Sequence, residues 1–153
     1  MLFSADTLLS SLRPDSEWEC IALPGGMPGA AALAACAPLT AFLRAHAAQG
    51  RLVAAMCAAP VVVLQPLGLL DGVHATAHPA FSDKLPLQDS VEGRVVLDGN
   101  VVTSRGPGTA IEFSLALAQL LCGSEVAASV AGPLLLQPRS SQKPAVPHEW
   151  AGL

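Results

Sequence analysis

Two short apolar segments constrain the fold of this chain most strongly, because each runs directly into a turn and then into small residues that suit a helix. Residues 18–23 (W-E-C-I-A-L) lead into P-G-G at residues 24–26. Residues 51–56 (R-L-V-A-A-M) lead into Cys57 and then into A-A-P. A buried strand that ends in a turn and continues as a helix is the repeating unit of layered α/β folds. The two segments therefore predict an α/β fold with a mostly parallel sheet.

The rest of the chain alternates in the same way and ends in a polar tail. We predict strands at residues 18–23, 51–56, 73–76, 95–98, 101–103 and 133–136, and helices at residues 6–12, 38–49, 58–65, 109–121 and 124–130. The D-G-N sequence at 98–100 indicates a β-hairpin, and the T-x-x-E pattern of Thr109 and Glu112 indicates a capping box. We expect one domain over residues 1–136 and a disordered tail over residues 137–153, which is rich in Pro, Ser and charge.

Composition argues against several classes of protein. The chain is 52% hydrophobic, 13% charged and carries a net charge of −4, which makes nucleic acid a poor partner. Its apolar stretches are interrupted by Pro and Gly and fall short of a membrane span. The four cysteines lack C-x-x-C spacing, so neither a zinc site nor a thioredoxin motif is predicted. We expect an intracellular protein with reduced thiols, first of all cytoplasmic, or in an organelle if a targeting segment precedes the chain.

Three groups at the predicted strand ends form a candidate site. Gly25 and Gly26 can bring backbone amides close to a ligand, as an oxyanion hole requires. Cys57 stands between a strand and a helix, where the helix N-terminus favours a thiolate, although a buried, inert cysteine fits the residues equally well. His78 lies in T-A-H-P-A-F after a short predicted strand, where it is either a partner for Cys57 or a turn residue.

Five segments together resemble the DJ-1/PfpI family. They are residues 23–30 (L-P-G-G-M-P-G-A), 53–60 (V-A-A-M-C-A-A-P), 66–72 (P-L-G-L-L-D-G), 75–81 (A-T-A-H-P-A-F) and 96–113 (V-L-D-G-N-V-V-T-S-R-G-P-G-T-A-I-E-F). The last segment is characteristic of the DJ-1 branch. The resemblance implies a flavodoxin-like three-layer sandwich with a mostly parallel sheet and a small β-hairpin.

The resemblance also assigns roles to particular residues. It implies that Cys57 is the nucleophile and redox-sensitive thiol on a sharp elbow, and that His78 is its partner. The backbone amides of Gly25, Gly26 and Ala58 would then bind the oxyanion. A loop near the site would contain Arg105, Gly106 and Pro107, with a structural role for Arg105 favoured over anion binding or a subunit contact.

One departure from the family concerns the start of the chain. In the family, a first strand and a helix carrying the active-site glutamate precede the segments matched here. We therefore expect a chain that is truncated at its N-terminus relative to the family, that lacks this glutamate, and whose sheet has exposed apolar edges.

Three functions are compatible with these residues. The resemblance implies a homodimeric glyoxalase III or deglycase acting on methylglyoxal, glyoxal or their adducts, with no metal or organic cofactor. The alternative is a redox sensor or chaperone in which Cys57 is oxidised. A cysteine hydrolase or amidotransferase is disfavoured, because Ala80 stands where amidotransferases have a glutamate two residues after the histidine.

The remaining cysteines and histidines and the tail tryptophan are expected to be structural, solvated or without a partner: Cys20, Cys36, Cys122, His46, His74, His148 and Trp150.

Overall fold

A four-stranded mixed sheet organises the molecule, as seen in a computed structural model that describes residues 4–12, 16–135 and 146–152. The strands are β1 (Cys20–Leu23), β2 (Leu52–Met56), β3 (Val95–Asp98) and β4 (Val101–Ser104). Their order is β1-β2-β4-β3, with β1, β2 and β4 parallel and β3 antiparallel to β4. The predicted α/β class with a mostly parallel sheet and one hairpin is confirmed.

The helices lie on both faces of this sheet. They are α1 (Met27–Ala35), α2 (Ala37–Ala48), α3 (Ala110–Cys122) and α4 (Ser124–Ala131), with a π-helix at Pro60–Leu64 and 3₁₀ turns at Leu9–Ser11, Gln65–Leu67, Ser82–Lys84, Pro107–Thr109 and Gly132–Leu134.

Strand β2 joins two apolar layers because its successive side chains point to opposite faces. Val53 and Ala55 pack into a cluster that contains Leu43 of α2, whereas Ala54 packs into a second cluster that contains Phe113 of α3. All three strand residues are 0% exposed. This arrangement is the three-layer sandwich of a flavodoxin-like fold.

The predicted helix at residues 6–12 and the predicted strands at residues 73–76 and 133–136 are wrong, and helix α1 was not predicted. Within residues 6–12 the helical part is a single 3₁₀ turn, Leu9–Ser11. Helix α1 was missed because its sequence, M-P-G-A-A-A-L-A-A, is apolar or small throughout and has no polar face to reveal a helical period. Residues 73–76 form no strand, since the amide of Thr76 donates to the side-chain oxygen Oγ1 of Thr103 (2.9 Å) instead of to a backbone carbonyl. The predicted strand at residues 133–136 is also not formed in the described residues, because the 3₁₀ turn Gly132–Leu134 occupies its first two positions.

The predicted capping box at α3 is also wrong. Thr109 makes no side-chain hydrogen bond that caps α3. The carboxylate of Glu112 instead accepts two hydrogen bonds from Nε of Arg94, at 3.0 and 2.9 Å. The same hydrogen bonds raise the pKa of Arg94. Glu112 therefore fastens the start of β3 to α3.

The C-terminal segment, residues 146–152, contacts the sheet, although the sequence predicted disorder there. Glu149 forms an antiparallel bridge with Val96 of β3, and the amide of Trp150 donates to the carbonyl of Val95 (2.8 Å). The indole N–H of Trp150 donates to Oε1 of Gln119 on α3 (2.7 Å), so the expectation that this residue has no partner is wrong. Residues 137–145 of the predicted tail lie outside the described residues.

Three histidines also differ from expectation. His46, expected in solvent, is 3% exposed, with Nε2 at 2.9 Å from the carbonyl oxygen of Leu52. His74 and His148, expected to lack partners, stack on each other with ring centroids 4.1 Å apart. Asp98 accepts a hydrogen bond from the ring of His74, which raises the pKa of His74, while the backbone N–H of His74 lowers the pKa of Asp98.

Over residues 4–12, 16–135 and 146–152, no single helix is both long and apolar enough to cross a membrane. Helices α1 and α2 meet these criteria only when taken together, and they are bent by 81° where they join.

Candidate active site

Cys57 follows the last residue of β2 and adopts a left-handed backbone conformation, with φ of 62°. A residue with a side chain rarely takes this conformation, which typically costs on the order of 1–2 kcal/mol. Two hydrogen bonds hold it in place: the amide of Cys57 donates to the carbonyl of Ser104 (2.9 Å), and its carbonyl accepts from the amide of His78 (2.9 Å). The half-buried cysteine is thus fixed at a sharp turn between a strand and a helical segment.

Gly25 lies directly against this turn. A Cβ atom built on Gly25 would lie 2.4 Å from Cβ of Cys57, 3.0 Å from the carbonyl oxygen of Met56 and 3.2 Å from Sγ of Cys57. Only glycine permits such an approach. The glycine turn after β1 and the cysteine turn after β2 therefore meet at the carboxyl edge of two adjacent parallel strands.

Three backbone amides of the two turns have no backbone acceptor among the described residues. The loop hydrogen bonds between backbone groups do not use the amides of Gly25, Gly26 or Ala58 in the part of the chain that the structure describes. Gly26 has φ of 92° and precedes α1, and Ala58 is 1% exposed. These are the amides for which the sequence predicted an oxyanion-binding role.

The backbone of His78 is hydrogen-bonded to Cys57, which places His78 at the same edge of the sheet. Besides the bond from its amide to Cys57, its ring atom Nδ1 accepts a hydrogen bond from the amide of Ala80 (3.2 Å). Because Nδ1 accepts, the neutral ring carries its proton on Nε2. The adjacent ring atom Cδ2 lies 3.5 Å from the position of a Cβ on Gly106, so His78 also faces the predicted loop of residues 105–107.

That loop is held by two hydroxyl groups that sequence reasoning missed. Oγ of Ser104 and Oγ1 of Thr109 are 2.6 Å apart and buried, and Oγ1 of Thr109 also accepts from the amide of Gly106 (3.1 Å). Ser and Thr on either side of a Gly-Pro-Gly turn are a sequence signal for such a closed loop. Nη1 of Arg105 pairs with Oε2 of Glu92 (2.8 Å), which fits the structural role predicted for this arginine.

The profile of the DJ-1/PfpI family matches residues 1–120 of this chain. The chain belongs to the DJ-1/PfpI family. Its similarity to DJ-1 proteins in particular places it in the DJ-1 branch.

Three DJ-1/PfpI relatives illustrate the similarity. Protein DJ-1 homolog B of Arabidopsis thaliana is 47% identical over 135 residues, which are 88% of this chain and 31% of that protein. The glutathione-independent glyoxalase DJR-1.2 of Caenorhabditis elegans is 36% identical over 133 residues, or 86% of this chain and 69% of that protein. The solved structure of oxidized Toxoplasma gondii DJ-1 is 49% identical, with a TM-score of 0.81 over 86% of this chain and 71% of that one. This chain thus spans about a third of the Arabidopsis relative.

The DJ-1/PfpI site shows no acidic partner for its thiol in the described segments. No hydrogen bond joins the sulfur of Cys57 to a carboxylate there.

The other three cysteines of this DJ-1/PfpI chain differ in accessibility, and all four are free thiols. Cys20 is half-buried in β1, and burial raises the pKa of its thiol. Cys36 is half-buried between α1 and α2, whereas Cys122 is exposed at the end of α3.

The strain at Cys57 can be measured by comparing substitutions. We expect Cys57→Gly to be more stable than Cys57→Ala by roughly 1 kcal/mol, because glycine takes a positive φ without the steric cost of a Cβ. Urea denaturation followed by circular dichroism measures the difference. The same pair of substitutions at Cys36, where φ is −83°, is the control, and there alanine should be at least as stable as glycine. Equal stability of the two Cys57 variants would contradict the strained turn.

The close approach of Gly25 leads to a second prediction. Gly25→Ala should lower the free energy of unfolding by about 1–3 kcal/mol, because the added methyl group displaces the Cys57 turn. Gly29→Ala is the matched control, since a Cβ there has no atom within 4 Å and alanine suits the interior of α1 better than glycine. A Gly25→Ala protein as stable as the parent would show that the two turns do not pack as described.

Proposed function

We propose that this chain acts through Cys57 on small α-oxoaldehydes and converts methylglyoxal or glyoxal into the corresponding 2-hydroxy acid. The observation that carries the proposal is the strained Cys57 turn, with Gly25 packed against it and three amides of the two turns without a backbone acceptor in the described segments. The similarity to a Caenorhabditis elegans glyoxalase supports the same class of substrate.

The reaction begins with attack of the Cys57 thiolate on the aldehyde carbon. A carbon–sulfur bond forms, and the carbonyl electron pair moves onto oxygen, giving a hemithioacetal whose oxyanion is bound by the amides of Gly25, Gly26 and Ala58. Solvent water then takes the proton of the former aldehyde carbon, giving an enediol, and the neighbouring carbon takes a proton from water. The first carbon is thereby oxidised and the second reduced, so no external oxidant is required. Water hydrolyses the resulting thioester and releases lactate or glycolate.

His78 and the base for the proton transfer have separate roles in this reaction. Nδ1 of His78 accepts the hydrogen bond from the amide of Ala80, which leaves Nε2 to face a ligand as a donor, so we assign the ring to donating a hydrogen bond rather than to removing the proton from carbon. Since the described segments bring no carboxylate into hydrogen-bond contact with Cys57, the proton transfer lacks a strong base. We expect turnover to be lower by roughly 10²–10⁴-fold than in a site with such a base.

A redox sensor or chaperone is the second candidate, because the half-buried Cys57 is a free thiol and the similar Toxoplasma gondii protein was solved in an oxidized form. In this function peroxide transfers one oxygen atom to the Cys57 thiolate, which becomes a sulfenate, and leaves as water.

We also propose that the chain is a homodimer inside the cell. Helices α3 and α4 carry five large apolar side chains that are each 44–50% exposed: Ile111, Leu120, Leu121, Val126 and Val130. Because α3 and α4 pack against each other, these side chains lie on one region of the surface, and exposed apolar surface of this kind suits a protein–protein interface. Native mass spectrometry should give twice the chain mass, and a monomer at micromolar concentration would contradict this proposal.

Product analysis tests the enzymatic proposal. Incubation with methylglyoxal should yield lactate, detected by NMR, and Cys57→Ala should abolish it because the nucleophile is lost. Cys122→Ala is the control for removing a thiol, since Cys122 is exposed and takes no part in the proposed site. Lactate formation that survives Cys57→Ala would contradict the mechanism. Peroxide-dependent oxidation of Cys57 without any lactate would favour the sensor.

A further inference from the structure

His74, Asp98 and His148 bring two imidazole rings and one carboxylate together, although they come from three separate parts of the chain. One ligand atom from each residue lies within 4.8 Å of the other two. Nδ1 of His74 is 2.8 Å from Oδ2 of Asp98, and Nδ1 of His148 is 3.7 Å from Oδ1 of the same carboxylate. We propose that these three residues bind a divalent first-row transition-metal cation of the zinc class.

This cluster is separate from the Cys57 site. Asp98 at the end of β3 pairs with Val101 at the start of β4, and Val101 pairs with Val53 near the start of β2. Cys57 follows the other end of β2. The proposed metal site and the candidate active site therefore lie at opposite ends of the sheet.

The chemistry of the donor set favours a borderline cation. Imidazole nitrogen suits zinc, copper, nickel and iron, and two histidines with one carboxylate leave a fourth position for water on zinc. Calcium and magnesium prefer sites made only of oxygen atoms. Two imidazoles and one carboxylate thus select a transition metal over the abundant alkaline-earth cations.

Asp89 contacts His74 in the way that a carboxylate commonly contacts a metal-binding histidine. Its Oδ2 is 3.2 Å from Nε2 of His74, the ring nitrogen that points away from Asp98. A ligating histidine commonly donates its second N–H to a carboxylate, which fixes the orientation of the ring. With Asp89 on Nε2, the atom Nδ1 of His74 is the one that would bind the cation.

Binding requires a small rearrangement at His148. Four ligands around a zinc ion with bonds of ~2.0 Å lie roughly 3.3 Å apart. Nδ1 of His74 and Oδ2 of Asp98, now 2.8 Å apart, must therefore separate slightly, whereas Nδ1 of His148, now 3.7 Å from Oδ1 of Asp98, must move closer. The two rings, now stacked at an interplanar angle of 19°, must tilt so that both lone pairs point at the ion. His148 has room to do so because its side chain is 40% exposed. The proton shared by His74 and Asp98 leaves to solvent when the cation enters.

A bound cation would link the C-terminal segment to the sheet, because His148 belongs to that segment and Asp98 to β3. The link would add to the backbone bond from the amide of Leu97 to the carbonyl of His148 (3.0 Å). We therefore expect zinc to raise the thermal unfolding midpoint, and to raise it further with the logarithm of its concentration once this exceeds the dissociation constant.

Zinc and cobalt titrations of the full chain test the proposal. Cys57→Ser is introduced into every protein, so that the reactive thiol does not compete for metal. Calorimetry should show one zinc ion per chain, and His148→Gln and Asp98→Asn should each weaken binding at least tenfold. His46→Gln, which removes a histidine outside the cluster, is the matched control and should leave zinc affinity unchanged.

The spectrum of the cobalt complex identifies the ligands. Nitrogen and oxygen ligation predicts d–d bands without a sulfur-to-cobalt charge-transfer band, and these bands should be lost in His148→Gln. The proposal would be overturned if zinc affinity were the same in His148→Gln as in its parent, if zinc did not bind, or if the cobalt complex showed thiolate ligation. Circular dichroism of His148→Gln verifies that the variant is folded.

Discussion

The left-handed conformation of Cys57 is the constraint on which the candidate active site depends. Its backbone is bonded on both sides, to Ser104 at the end of β4 and to His78 in the segment that follows residues 73–77. These two contacts come from parts of the chain that also build the rest of the site. Ser104 directly precedes the loop of residues 105–107, and His78 supplies the imidazole. The same hydrogen bonds therefore hold the strained turn and bring its neighbours to it.

The packing of β2 holds the strained turn in place. The strand is buried on both faces and paired on both edges, so the position of its last residue is fixed before the turn begins. Here the absence of a side chain on Gly25 allows the neighbouring turn to approach Cys57 instead of pushing it away. A rigid strand and a missing Cβ together present the sulfur at the carboxyl edge of the sheet.

Much of the sheet and of the two turns at the candidate site could be predicted from local sequence. Strand β2, the hairpin after Asp98 and the strand-to-turn junctions at Gly25 and Cys57 follow from apolar runs bounded by turn residues, which are local signals. Helix α1 gave no such signal because its residues are almost all small or apolar.

The capping-box prediction failed because Arg94, which is distant in sequence, binds the carboxylate of Glu112. The cluster of His74, Asp98 and His148 was invisible for the same reason: its members meet only after the C-terminal segment has paired with β3. Cysteine spacing, from which no zinc site was predicted, carries no information on histidines that the fold brings together.

The central claim is that the turn makes Cys57 reactive, and the relative alkylation rates of the four cysteines test it most directly. Iodoacetamide labelling of the folded chain at neutral pH, read for each cysteine by peptide mass spectrometry, compares Cys57 with Cys122, which is more exposed. The account predicts that Cys57 reacts faster than Cys122 and that Cys20, whose pKa is raised by burial, reacts slowest. Labelling in the order of exposure, with Cys122 first, or equal rates at all four positions would contradict it.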